Sequence, residues 1–262
     1  MLSRKGLFGK IEIVDSHEAR YLLLNDQIQG GGYLNPAATE FFPGMHGPGC
    51  VAASSYMMGW VVAGVQNANA SGVMIGLGSG CGVTQMLYLC PKIDLTVVEI
   101  DPAMVDVATK AFPLLQRYIL EGRLNIVTAD ASDYLKTSDV FDIGLADAYD
   151  GMSYNLKSSY MAQLFDKSGA VYANCIDKVD GKATRNLIQL AKSKGKPIQH
   201  RLHATIDQPI SAAEYQPANW IMTSDVLMPR VLDTFMPFVD MSNCPAIDFA
   251  TESYAHLISQ VG

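Results

Sequence analysis

The spacing of apolar positions along this 262-residue chain changes period repeatedly. Val73, Met74 and Ile75 form a short unbroken apolar run, the pattern of a strand buried on both faces. Gly76, Gly78, Gly80 and Gly82 follow at every second position, and helical spacing resumes through Val83, Met86, Leu87 and Leu89. The alternation then continues with a strand near 95 to 99, a helix from Pro102 to Ala111 with proline in its first turn, and a strand from Leu124 to Thr128. Asp130-Ala131-Ser132-Asp133 opens a short helix, and Phe141 to Ala146 is a fourth strand. A helix over 157 to 166, a strand from Ala170 to Cys175 and a helix from Lys182 to Lys192 come next. Two late β-type runs lie near 197 to 205 and 218 to 223. Repeated βα units with right-handed crossovers predict an α/β protein with a mostly parallel, doubly wound sheet and helices on both faces.

The first 50 residues follow a different pattern. Ile11, Ile13 and the run Tyr21 to Leu24 flank the polar turn Asp15-Ser16-His17-Glu18. Asn25-Asp26 makes a second turn into Gln27-Ile28-Gln29. These features predict a small β element over 8 to 29. The stretch 30 to 50 is rich in Gly and Pro without periodicity and reads as a long loop, a form that commonly serves as a lid or binding loop. Ser54 to Val65 has helical spacing. The expected organisation is therefore an N-terminal β element and loop over 1–50, followed by one large α/β domain over 51–262.

Composition narrows the class. Apolar residues make up 49% of the chain and charged residues 17%, enough for a large core. No apolar run reaches the length of a membrane span, and the N-terminus lacks the apolar core of a signal segment. Cytoplasmic location with no membrane partner is the expectation. The five cysteines are scattered without CxxC spacing, and neither they nor the five histidines cluster as a zinc site would, so no metal is expected. A net charge of −7 argues against a nucleic-acid surface. It is compatible with a cationic small substrate, and equally with an ordinary acidic protein.

Candidate chemistry gathers where the strands end. Ligands of open α/β sheets bind outside the carboxyl ends of the strands, and glycines at a strand-to-helix turn let a ligand approach the main chain. A glycine turn alone is weak evidence. Here a second strand, Leu95 to Ile100, carries Glu99 about twenty residues further on, where the ribose-binding acid of a doubly wound fold belongs. Asp130, Asp147 and Asp150 end further strands. Asp101 before Pro102 reads best as a helix cap, and Asp130 could cap its own helix in the same way.

The segments GLGSGCG, VVEIDP, RLNIVTADASDYL and FDIGLADAYDG resemble, in order and spacing, the signature segments of the spermidine synthase family. LLLNDQIQ is similar to the family's N-terminal hairpin, and the likeness extends from about residue 8 to 177. It implies the Rossmann-like fold of SAM-dependent methyltransferases and a transferase of polyamine biosynthesis. The co-substrate would be S-adenosylmethionine (SAM) or its decarboxylated form. It implies that Glu99 binds the ribose, that Asp130 accepts from the adenine amino group beside the backbone of Ala131, and that Gln29 touches the cofactor. Gly76, Gly78, Ser79, Gly80 and Ile100 would complete the cofactor surface. Asp147 would hold and deprotonate an attacking amine, and Asp150 would bind that amine with Tyr56 nearby. A homodimer joined through the β element is a further implication.

Departures from the family pattern fall on the amine side. Ser79 stands where the family's turn carries the aspartate that pairs with the amino group of decarboxylated SAM. Tyr56 is followed by Met57 and Met58 rather than by polar partners for a diamine. Ser79 is expected to favour SAM over the decarboxylated form, or else simply to fit the turn. The readings carried forward are alkyl transfer by an S-adenosyl sulfonium to a small amine, methyl transfer, intramolecular cyclisation or elimination of SAM, and a non-catalytic nucleoside-binding protein.

Overall fold

The computed structural model describes residues 2–16, 19–34, 70–148, 158–176, 182–196, 199–203, 218–222 and 239–240. Four strands open the chain: β1 Leu2–Lys5, β2 Lys10–Asp15, β3 Ala19–Leu24 and β4 Gln27–Tyr33. They form an antiparallel sheet in sequence order. The hairpin between β3 and β4 turns at Asn25 and Asp26, with φ of 51° and 65°. Two consecutive left-handed residues match the twist of a two-residue hairpin, and Asn and Asp tolerate that region. The Asn25 side chain ties the hairpin to its neighbour by accepting from the Lys10 amide and donating to the Phe8 carbonyl.

The second sheet follows the predicted alternation: β5 Ser71–Ile75, α1 Cys81–Leu89, β6 Asp94–Glu99, α2 Pro102–Ala111, α3 Pro113–Leu120 and β7 Leu124–Thr128. It continues with α4 Ala131–Thr137, β8 Phe141–Ala146, α5 Ser158–Lys167, β9 Ser168–Ile176 and α6 Lys182–Ser193. The last described strands are β10 Gln199–His203, β11 Ala218–Met222 and β12 Val239–Asp240. The strand order is β12-β10-β11-β9-β8-β5-β6-β7. The five strands from β9 to β7 are parallel, and β11, β10 and β12 add antiparallel. This is the doubly wound, Rossmann-like fold of methyltransferases, extended by an N-terminal β element.

Both faces of the central strand are buried, as its unbroken apolar run requires. Met74 packs into a core with Ile11, Leu22, Met86 and Leu115, which joins the N-terminal sheet to the large one. Val73 and Ile75 point the other way, toward Ala146, Leu164 and Phe165. Strand order reverses at β5, which has β6 on one side and β8 on the other. The crevice outside that reversal is the usual ligand position in such sheets.

Three elements depart from the expected pattern. Gly30 to Tyr33 continues β4 rather than starting a loop, because backbone pairing to Leu22, Tyr21, Arg20 and Ala19 needs no side chain. Leu2–Lys5 forms a strand whose largely exposed residues give no alternating signal. The helix α3 directly follows α2, and the Phe112-Pro113 junction that restarts it hides its short period. The helix expected over 54–65 and the loop stretch 35–50 lie outside the described residues.

Candidate active site

The glycine turn is built as its spacing predicts. Gly76, Gly78 and Gly80 have φ of 95°, 52° and 73°, the left-handed region that side chains disfavour. A Cβ at Gly76 would collide with the Asp147 carbonyl, so the end of β5 and the end of β8 can approach only through glycine here. The Asp147 amide donates to the Ile75 carbonyl at 2.9 Å and closes this junction. An added Cβ at Gly78 would meet the Gln29 carbonyl at 3.4 Å, an ordinary van der Waals contact. The helix α1 that follows has Gly80 at its N-cap, a residue with no side chain to cap it.

The strand β4 lies over this turn. Gly30 rests on the Ser79 hydroxyl, where a Cβ would collide, and Cys81 donates its thiol to the Gly31 carbonyl at 2.8 Å. Ser79 is 3% exposed, and its hydroxyl accepts from the Cys81 amide at 3.4 Å. That packing suits a residue that fits the turn. Gln29, one residue before Gly30, is half-buried on the same strand.

Glu99 closes the end of β6. It is 8% exposed; one carboxylate oxygen accepts from the Leu77 amide and the other from the Asp101 amide, each at 2.9 Å. Burial pushes its pKa up, and the amides of Asp101, Leu77 and Ile100 act against that shift. The side chain thereby joins the glycine turn to the loop after β6. Ile100, half-buried, sits in that loop. The Asp101 carboxylate caps α2 through the Ala103 amide and also accepts from the Leu7 amide at 2.7 Å, pinning the N-terminal sheet. Asp130 caps α4 through the Ser132 amide at 2.7 Å. Ala131 begins that helix, buried near Val98. The Ala129 amide donates to the Glu99 carbonyl, which brings this third strand end beside the second.

Asp147 ends β8 next to Gly76. One of its oxygens accepts from the Asn174 side-chain amide at 2.9 Å. Burial raises its pKa, and that hydrogen bond opposes the rise. Tyr160 of α5 is buried close enough for the Asp147 charge to add to the upward push on its own pKa, which burial dominates. The structure thus brings Gln29, Gly76, Gly78, Ser79, Gly80, Glu99, Ile100, Asp130, Ala131 and Asp147 to one end of the sheet. Tyr56 and Asp150 lie outside the described residues. Sequence reasoning overlooked Asn174, although a polar side chain inside the apolar run VYANCI was a readable signal. Among the described residues no group of three or more metal-binding side chains occurs, and no helix is long and apolar enough to cross a membrane.

This open α/β sheet, with acids at successive strand ends around a glycine turn, defines the class of doubly wound α/β proteins. Residues 55–249 match the spermine/spermidine synthase domain, so the chain belongs to that family. Solved structures show the same fold. Spermidine synthase from Thermotoga maritima is 16% identical with a TM-score of 0.63, over 89% of this chain and 75% of that one. A spermidine synthase in complex with the transition-state analogue AdoDATO is 16% identical with a TM-score of 0.62, over 89% and 74%. Precorrin-6y C5,15-methyltransferase from Geobacter metallireducens GS-15 is 12% identical with a TM-score of 0.50, over 64% and 86%. No curated protein matches the chain.

Proposed function

We propose that this protein transfers an aminopropyl or aminocarboxypropyl group from an S-adenosyl sulfonium, SAM or its decarboxylated form, to a small amine. Family membership supports aminopropyl transfer as the reaction class. A spermidine synthase of the same fold was captured with a transition-state analogue, AdoDATO, which favours an adenosyl co-substrate here too. The residues at hand suit such a group: the bare backbone at Gly78, buried acceptors on Glu99 for ribose hydroxyls, and Asp130 with Ala131 for the adenine edge. Gln29, Gly76, Ser79, Gly80 and Ile100 form the remaining surface, and Asp150 and Tyr56 are assigned to the amine. The nucleoside is held by the α/β domain, with Gln29 of the N-terminal β element touching it.

The observation that carries the reading is the Asp147 carboxylate, half-buried beside the glycine turn and, among the described residues, bonded through the Asn174 side chain. An S-adenosyl sulfonium supplies a carbon whose bond to positively charged sulfur breaks to leave a neutral thioether. An ammonium has no lone pair and cannot attack that carbon. Asp147 takes one proton from it, the freed nitrogen pair forms the new carbon–nitrogen bond, and the electrons of the carbon–sulfur bond stay on sulfur. A carboxylate whose pKa is raised by desolvation is a stronger base than one in water, which suits the transfer. Asp147→Asn keeps the size of the side chain but cannot take the proton. Turnover is expected to fall by roughly 10²–10⁴-fold while calorimetric affinity for methylthioadenosine stays close to wild type. A variant that turns over near the normal rate would remove Asp147 as the base.

A further inference from the structure

Asp147 has two oxygens, and the fold treats them differently. Oδ1 is bound by the Asn174 amide at 2.9 Å, and among the described residues Oδ2 has no hydrogen-bond partner. Asn174 is on β9, the strand paired in parallel with β8, one residue past the Ala146–Ala173 pairing. It is 6% exposed, in a strand whose neighbours Tyr172, Ala173 and Cys175 are fully buried and almost all apolar. A buried amide side chain facing a carboxylate must present its NH₂ end, because its carbonyl end would repel the charge. Strand pairing fixes both backbones, so the contact also fixes the carboxylate's rotamer.

We propose that Asn174 is a positioning residue: it occupies Oδ1 of Asp147 and leaves Oδ2 as the oxygen that meets the amine. The proposal rests on Asp147 being the base, and it adds the reason that one oxygen is presented. The same bond stabilises the charged carboxylate against its burial. Among the described residues, the titratable group facing this carboxylate from a packed element is Tyr160 of α5, whose pKa is pushed upward and which stays neutral over the working range. No titratable side chain lies on the glycine turn itself, where Gly76 makes the contact. Removing the Asn174 donor therefore leaves nothing among these groups to offset the desolvation.

The test uses the full-length protein with Asn174→Leu, close to asparagine in size but without a donor, and Asn174→Gln, which keeps the donor on a longer arm. Asp147 ionisation is followed by the carboxyl carbon signal in ¹³C-aspartate-labelled protein, assigned by its absence from Asp147→Asn. Turnover is measured across pH in parallel. In Asn174→Leu the proton affinity of Asp147 is expected to rise by about tenfold, in line with the loss of one charge-assisted bond. The acid limb of kcat should move to higher pH by the same factor. Methylthioadenosine affinity should stay within about twofold, and Asn174→Gln should restore part of the limb. If Asn174→Leu does not fold, Asn174→Ala gives the same reading. A titration of Asp147 that does not move in the donor-free variant overturns the proposal, as does a loss of activity equal at every pH. Normal turnover in Asp147→Asn would instead remove the base assignment, and the carbon titration would still decide what Asn174 does.

Discussion

Two carboxylates stand at the ends of strands on either side of β5, Glu99 buried and Asp147 half-buried, and the chain holds them in different ways. Glu99 has both oxygens on backbone amides, from Leu77 and Asp101, so its geometry belongs to the main chain on each side. Among the described residues, Asp147 has one oxygen on one side chain, that of Asn174. Burial raises the pKa of both. A carboxylate fixed at both oxygens is suited to accepting further hydrogen bonds in one geometry, as a sugar edge would require. A carboxylate with one oxygen unclaimed is suited to receiving a proton. The difference teaches that two acids at neighbouring strand ends are suited to separate duties by the number and type of their donors.

The comparison can be broken most strongly at Glu99. Glu99→Ala removes the proposed ribose acceptor and leaves two buried amides without their partner. Affinity for methylthioadenosine should weaken by roughly 10- to 100-fold, the loss of one charge-assisted bond of about 1.5–3 kcal/mol. Thermal unfolding should also fall to lower temperature. Unchanged affinity in calorimetry would remove the ribose role and leave Glu99 only a turn-bracing one.

A smaller effect is expected at Asp101, whose carboxylate caps α2 and holds the Leu7 amide while its own amide feeds Glu99. Asp101→Ala should cost about 1–2 kcal/mol in urea unfolding, with a weaker secondary loss of nucleoside affinity. If affinity fell as far as in Glu99→Ala, the nucleoside end would depend on the N-terminal sheet as much as on its own carboxylate.

The smallest effect sharpens the Asp147 side. Its folded-state pKa lies above the ordinary carboxylate value, so the native state holds the proton more tightly than the unfolded chain. That contribution to stability is complete below the unfolded pKa and is lost as pH rises through the raised folded one. Asp147→Asn has no such loss. Its stability relative to wild type should therefore increase as pH rises above the ordinary carboxylate range, read by urea unfolding. A difference that stays constant over that rise would mean the carboxylate is not shifted by burial.

Much of this arrangement is legible in the amino-acid sequence. The run Val73-Met74-Ile75 announced a strand buried on both sides, and the glycines after it announced positive φ at Gly76, Gly78 and Gly80. Phe141–Ala146 and Leu124–Thr128 lie where their apolar patterns put them. Capping by Asp101 followed from the proline after it. What stayed hidden depends on contacts between residues far apart in sequence. No local pattern shows that β4 would press Gly30 onto Ser79, or that the Asp101 carboxylate would reach the Leu7 amide across 94 positions. Ser79 invited a reading as a cofactor contact, and its burial beneath β4 gives weight to the plainer role in the turn. Asn174 was visible as a polar residue in an apolar strand, but its partner was set by the parallel pairing of β8 and β9.

The central claim is that an alkyl group leaves a sulfonium for an amine, and the products test it most directly. The protein is incubated with SAM or decarboxylated SAM and small diamines, and both the nucleoside and the amine are read by mass spectrometry. The account predicts methylthioadenosine together with an amine enlarged by an aminopropyl or aminocarboxypropyl group. S-adenosylhomocysteine with a methylated acceptor, or methylthioadenosine with every amine unchanged, would contradict it.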